Sequence, residues 1–312
     1  MMRMRAETRV SAPTFRLRRQ HGGVAGSPIP RGMRFSAFVS IVPAAVLFGT
    51  FFAIPLVVLI ATSFTSWSGR SLEIVGVENY QRMITDPVFM KALGNTLFYL
   101  AIGVFVQVPL GVGVGMVLAL KPRGWKAFRT LLFIPFVISG AAYALIFSMF
   151  YNSRSGLLNS LLAPLGISGR DWLFDSETAR WAVAGTFAFI LGFVMIVIMA
   201  EIASIPRELY EAARVDGASE LQQQLLITLP LLRNAIGTCV LIRVLADIGM
   251  FDLVFILTSG GPDDSTVSLA LYAYRAYLQG DWGYANAIGT VIIGLGAILI
   301  VLVRRLFRIG DR

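Results

Sequence analysis

The sequence predicts an all-α, polytopic membrane protein with about six transmembrane helices, and three observations carry that expectation. Hydrophobic residues make up 56% of the 312 positions and charged residues only 14%, for a mean hydropathy of +0.72. A soluble domain of this length needs a larger polar share to cover its surface. The apolar residues are gathered into runs near the roughly 20 positions a bilayer core requires, and such runs are expected to be helical because water cannot serve their backbone groups there. The basic residues cluster at the ends of those runs on alternate sides, as membrane topology demands.

Residues 1–34 are polar, rich in Gly and Pro, and hold eight arginines against one acid, Glu7, the composition of a disordered tail. The apolar run at 36–63 is too long for a signal-peptide core of about 7–15 residues and reads as span one. Further spans are expected at 93–120, 131–150, 181–200, 232–257 and 284–303, within a membrane domain of 35–304 followed by a short tail, 305–312. Pro55 and Pro135 are expected to kink their helices. Gly111 and Gly115 form a GxxxG pair, the usual mark of close helix packing in a membrane.

Eighteen Lys and Arg fall in the first tail, the second and fourth connections and the last tail, against seven in the other connections. The positive-inside rule therefore places both termini in the cytoplasm. The same distribution explains the net charge of +9 as membrane flanks and leaves no basic face for nucleic acid. Cys239 is the only cysteine and His21 the only histidine. A disulfide within the chain and a CxxC metal site are excluded, and His21 beside Gly22 and Gly23 reads as linker.

The connection at about 201–230 departs from the basic pattern. It lies on the side expected to be cytoplasmic yet holds Glu201, Glu208, Glu211, Asp216 and Glu220. Pro206 can open a helix with Ser204 as a nearby cap. Residues 208–214 favour helix, and Ala212 and Ala213 leave a low-profile face. Asp216-Gly217 is a turn pair, and Pro230 marks the entry to span five. On spacing alone this is a helix hairpin at the membrane surface, either solvated or occupied by another protein.

Glu211-Ala212-Ala213, Gly217 four residues on, Ile227 and Leu229-Pro230 together resemble the EAA motif of binding-protein-dependent ABC transporter inner-membrane permeases, met at every element. The resemblance extends over nearly the whole chain after the tail. Asn95-Thr96 before span two, Gly260-Gly261-Pro262, and Gly283-Tyr284-Ala285 are similar to the carbohydrate-importing branch, which includes maltose, oligosaccharide and glycerol-3-phosphate permeases. Leu221 and Gln224 stand where that branch usually carries aromatics, and Glu201 where Gly is common, which suggests a docking surface tailored to its own partner.

The resemblance implies an ABC importer permease fold in a bacterial inner (plasma) membrane. It implies a transport subunit, not an enzyme, paired with a second permease as a heterodimer. Two ABC ATPases, an extracytoplasmic solute-binding protein, a carbohydrate solute and membrane lipid would be its other partners. The helix carrying Glu211, Ala212 and Ala213 would be the coupling helix, within a coupling loop of about 201–230, with Glu211 meeting a basic group on the ATPase, Asp216 and Gly217 shaping the turn, and Ile227, Leu229 and Pro230 closing the motif. ATPase closure would then rock the permeases between inward and outward access. No cofactor is expected on this chain, ATP and Mg being held by the partner. In agreement, none of its lysines, Lys91, Lys121 and Lys126, follows a GxxxxG phosphate loop.

Charges inside a span cost about 2.5–3.5 kcal/mol each on insertion scales and need a reason. Arg243 and Asp247 share a helix face at i, i+4, as a structural ion pair or as a polar lining for solute. The family lines its solute cavity with span five and the span before the EAA loop, so Thr186, Phe189, Phe193 and Met250 join them as candidate pathway residues, the phenylalanines alternatively being core or lipid-facing. Trp67, Trp172 and Trp282 mark the outer loops as interfacial anchors. Two other readings remain open. An ion-driven secondary transporter would show inverted repeats and broken helices, which the pattern does not suggest, and a membrane-embedded enzyme would show a catalytic cluster such as HExxH. A non-sugar solute such as glycerol-3-phosphate is the alternative within the family.

Overall fold

The computed structural model describes residues 31–309, with side chains from Ser40 onward. Most of the expected basic tail, including His21, and the last three residues lie outside the described residues. The chain divides into two compact units, Met1–Ile54 and Pro55–Arg312. In the first, the described residues are helical from Arg31 to Phe48 and then form a wide π turn, Gly49–Ala53. The second holds everything that positions the site.

In chain order the principal helices are α1 (Ser40–Thr62), α2 (Pro87–Ala119), α3 (Trp125–Val137), α4 (Gly140–Phe150), α5 (Ala179–Ser204), α6 (Arg207–Val215), α7 (Glu220–Leu231), α8 (Arg233–Ile248), α9 (Asp252–Thr258), α10 (Leu269–Leu278) and α11 (Trp282–Phe307). Four of them, α1, α2, α5 and α11, are long and apolar enough to cross a membrane. The pairs α3–α4 and α7–α8 each qualify as one further span bent by 104° and 62°, which gives six at most, the number expected.

The expected boundaries and straightness need correction. Span three starts at Trp125 and turns sharply at Ile138-Ser139, just past Pro135, with the Ser139 hydroxyl accepting from the Ala142 N–H at 3.3 Å to cap α4. Span five does not run on to residue 257, because α8 ends at Ile248 and α9 begins afresh at Asp252, packed on α4. Within α5 the helical bonding lapses at residues 189–191. Broken helices are thus abundant where the pattern suggested none. The last helix reaches Phe307, beyond the expected end at 303.

Proline explains a different irregularity. The π turns Gly49–Ala53, Gly103–Gln107 and Gln224–Thr228 each end two residues before a proline, Pro55, Pro109 and Pro230. A helical proline lacks an N–H and its ring presses on the carbonyl four residues back. In the widened turn the Val108 N–H bonds the Gly103 carbonyl, and that of Leu229 bonds Gln224, five residues back, which opens room for the ring without unwinding the helix.

The second halves of α2 and α5 pack most closely. A Cβ on Gly111 would stand 2.6 Å from that of Val194, and one on Gly115 2.9 Å from that of Ile198, so the expected GxxxG packing is present with α5 as its partner. Val108, Val112, Val194, Ile198, Leu232, Cys239, Val240, Val244 and Val303 close an apolar core at this end of the bundle.

At the opposite end the backbone of the 260–269 loop hangs on α2. Asn95 donates to the Val267 carbonyl at 3.0 Å and Tyr99 to that of Thr266 at 3.1 Å, while Thr96 accepts from the Leu269 N–H at 3.0 Å. Asp86 caps α2 by accepting from the Val88 N–H at 2.9 Å and the Phe89 N–H at 3.2 Å, and it also accepts from the hydroxyls of Tyr272 and Tyr284. Burial pushes its carboxyl upward, but those four donors outweigh it and hold the group below its ordinary 3.8. Burial first, and then the Asp86 carboxylate, push the Tyr272 phenol up to about 12.

Because the folded carboxyl ionises more readily than the unfolded one, its contribution to stability is complete above about pH 4 and fades as pH falls through the folded value. Asp86→Asn should remove that part of the acid sensitivity seen when thermal unfolding in detergent is followed between about pH 5 and 3. Asp86→Ala should cost about 1–3 kcal/mol at neutral pH, and an unchanged unfolding temperature for it would show that the cap is dispensable.

Candidate functional site

Two regions of the second unit hold the residues singled out by sequence. The first is the connection between α5 and α8. Pro206 precedes α6 with no side-chain cap, and Ser204 bonds back to the Glu201 carbonyl at 2.7 Å, so it is not the cap expected. None of the nine residues of α6 is buried. Glu211 and Ala212 face outward and Ala213 is half-buried. Val215 is 88% exposed, a large apolar surface to leave on a helix this short.

The helix ends in a Schellman arrangement. The Ala218 N–H reaches the Ala213 carbonyl at 2.9 Å and the Gly217 N–H that of Arg214 at 3.0 Å, with Gly217 at φ +82° and Asp216 just before it. That left-handed φ is the reason for glycine; a Cβ at Gly217 would meet nothing within 4 Å. Ser219 and Gln222 then form a capping box that starts α7.

What fixes the hairpin is a chain of side chains that the sequence pattern did not reveal. The Tyr210 hydroxyl lies 3.0 Å from that of Thr228. Gln223 donates to the Ala218 carbonyl at 2.9 Å. Thr228 and Gln223 are buried, so the lock ties α6, its turn and the π turn of α7 into one piece. Ile227 is half-buried in that turn, and Leu229 and Pro230 stay exposed at the start of the bend into α8. The only sequence signal for the lock was a Tyr and a Thr flanking a helix–turn–helix, which is too common to single out.

The second region lies inside the bundle. Arg243 and Asp247 are ion-paired along α8, Asp247 with 1% of its side chain exposed and Arg243 with 17%. Gly103, in the π turn of α2, sits against the Asp247 carboxylate where no side chain fits. Gln107, one turn on, is buried and donates to the Ile190 carbonyl at 2.6 Å, supplying a partner where α5 is interrupted. Asp247 Oδ2, Arg243 Nε and Gln107 Oε1 are buried without a hydrogen-bond partner. A lone Gln in an apolar run was the available signal for this third member.

The other candidates are spread over the same layer. Phe189 is 65% exposed at the interruption of α5, and Phe193 is half-buried with its ring 5.5 Å from that of Phe136. Thr186 is fully buried with its hydroxyl on the Ala182 carbonyl. Met250 is buried, its carbonyl accepting from Ser268 at 2.7 Å. Asp252 is exposed at the start of α9. Among the described residues no group of three His, Cys, Asp or Glu is placed to hold a metal ion.

Residues 107–312 match the family model described as the binding-protein-dependent transport system inner membrane component. The chain is 36% identical over 281 residues to the probable ABC transporter permease protein YurN of Bacillus subtilis, covering 88% of this chain and 96% of that one. It is 33% identical over 288 residues to SmoG, the sulfoquinovosyl glycerol transport system permease protein of Agrobacterium fabrum, with 90% and 92% covered. The diacetylchitobiose uptake system permease protein NgcF of Streptomyces coelicolor is 32% identical, with 89% and 84% covered. Its fold is also that of a chain in the crystal structure of a bacterial ABC transporter that imports the acidic polysaccharide alginate, at TM-score 0.79 and 22% identity, covering 90% of this chain and 98% of that one.

Removing one member of a buried ion pair strands the other and costs about 3–5 kcal/mol, whereas replacing both with apolar groups is often neutral. Arg243→Met and Asp247→Leu singly should therefore lower the detergent unfolding temperature, and the double substitution should restore most of it. A double substitution no more stable than the worse single would show that the pair is not a closed unit.

Proposed function

The chain belongs to the family of binding-protein-dependent transport system inner membrane components, and we propose that it is a permease subunit through which a carbohydrate enters the cell, driven by a partner ATPase docked on α6. The observation that carries this reading is the locked hairpin at 201–230. It presents a helix with no buried residue, the low-profile Ala212 beside Glu211, and an apolar Val215 at its tip, on a base made rigid by Tyr210, Thr228 and Gln223. A lever needs that combination, because a flexible loop would absorb the ATPase movement instead of passing it to α5 and α8.

The remaining partners follow from the same reading. A second permease, different from this chain, would complete the pathway, and two ATPases would hold ATP and Mg. An extracytoplasmic binding protein would deliver solute to the face built from the outer loops 64–92, 152–179 and 259–283. Both termini and the hairpin would lie in the cytoplasm, as the distribution of Lys and Arg supports. The named relatives that transport sulfoquinovosyl glycerol and diacetylchitobiose, and the alginate importer, support a carbohydrate solute. Along its route we place Phe189 and Phe193 as ring-stacking surfaces, together with Thr186, Arg243, Asp247 and Met250.

A pull-down from native membranes tests the proposal, with Glu211→Ala plus Gly217→Asp as the altered chain. The ATPase and a second permease should copurify with the unaltered protein, and the altered one should keep the permease and lose the ATPase. Absence of any ATPase from the unaltered protein in mild detergent would remove the coupling role.

A further inference from the structure

A cavity of about 720 Å³ opens beside the hairpin, and we propose that it binds a phospholipid with an anionic, hydroxyl-bearing headgroup such as phosphatidylglycerol. The inference rests on reading the hairpin end of the bundle as the cytoplasmic face. Four cations line the cavity, Lys121, Arg129, Arg207 and Arg214, against two carboxylates, Glu211 and Glu220. All four cations are exposed, and among the described residues none of them is in an ion pair. An excess of unneutralised cations where helices leave a bilayer attracts anionic headgroups.

The rest of the lining is the wrong surface for a water-soluble anion. Ile196, Met199 and Ile202 form one stripe of α5 at helical spacing and face the same space. Ile196 lies eight residues before the end of α5 at Ser204, about 12 Å along the helix and inside the hydrocarbon. A partner docking from the aqueous side does not reach that depth. An acyl chain does, and its headgroup then falls among the cations.

Two polar details fit the headgroup. Trp125, with the Arg129 guanidinium 5.2 Å from its ring, lines the cavity at the level where amphipathic aromatics favour the bilayer interface. Gln224 also lines it, and its Oε1 is buried without a hydrogen-bond partner. A glycerol hydroxyl donates to such an oxygen; a choline headgroup has no donor. The lipid would touch Arg207 and Arg214 of α6 and so join the hairpin to the ends of α2 and α3.

Native mass spectrometry of the assembled transporter, released from vesicles of equal phosphatidylglycerol and phosphatidylcholine, tests this. Phosphatidylglycerol should be retained preferentially. Lys121→Gln with Arg129→Gln should weaken retention by about fivefold for each cation removed. Met199→Trp, which fills the apolar end and leaves the charges alone, should weaken it too, and soluble glycerol phosphate should not displace the lipid. Equal retention of the two lipids, retention unaffected by either variant, or full displacement by glycerol phosphate would each overturn the proposal, the last by identifying a free-anion site. Crosslinks from position 129 to the ATPase or second permease in place of lipid would overturn it as well. The same spectra report whether the ATPase is bound, so failure of the coupling role is seen separately from failure of lipid retention.

Discussion

A carbonyl or N–H in hydrocarbon has no water to turn to, and the architecture of this protein is organised around that constraint. Its spans are interrupted, and freed backbone groups are met by side chains from a neighbouring element. Gln107 of α2 serves the Ile190 carbonyl at the interruption of α5. Tyr143 bonds the carbonyl of Thr186 at 3.0 Å. Ser268 serves Met250 where α8 gives way to α9, and Asn95 and Tyr99 hold the loop that follows. Gln107, Asn95, Tyr99, Tyr143 and Ser268 are therefore joints between elements, and apolar residues fill what lies between the joints.

This explains why the short sequence elements that marked the family are so specific. Asn95-Thr96 bonds the backbone of Val267 and Leu269, in the loop that Gly260-Gly261-Pro262 opens, and the Gly260 carbonyl accepts from the Thr266 N–H at 3.2 Å within that loop. Gly283 leaves room for the Thr65 backbone, and its N–H bonds the Trp67 carbonyl at 2.9 Å. Tyr284 reaches Asp86 at 2.7 Å. Each such element needs a matching partner, and a family resemblance can register the element without revealing the pairing.

The helical class, the number of spans and the GxxxG contact were legible because they rest on composition and local spacing. So was the pairing of Arg243 with Asp247, which needs only four residues of one helix. The bend past Pro135 was legible as a kink, but the breaks at 189–191 and 249–251 were not. Each of those two has a glycine close by, Gly192 or Gly249, but apolar helices in membranes carry glycine freely, and what makes these breaks tolerable is a partner supplied from another element. The hairpin was found from its pattern, while its rigidity depends on Thr228 and Gln223 meeting groups elsewhere in the loop. Long-range compensation is the part that spacing along one chain does not encode.

The wide turn at Gly103–Gln107 also has a consequence for how such a chain can change over time. A turn closed five residues back contains one residue more than an ordinary turn, so it is in effect an accommodated insertion. Each residue advances a helix by about 100°. Because the wide turn absorbs its extra residue locally, losing that residue would close an ordinary turn and leave Gly111 and Gly115 facing Val194 and Ile198, whereas the same loss from a regular turn of α2 would swing everything downstream by that amount. The proline two positions later opposes the loss, since a regular turn would drive its ring into the preceding carbonyl. Pro109 thus keeps the turn wide, and the wide turn lets α2 carry an extra residue with no change in the rotational setting of one half against the other.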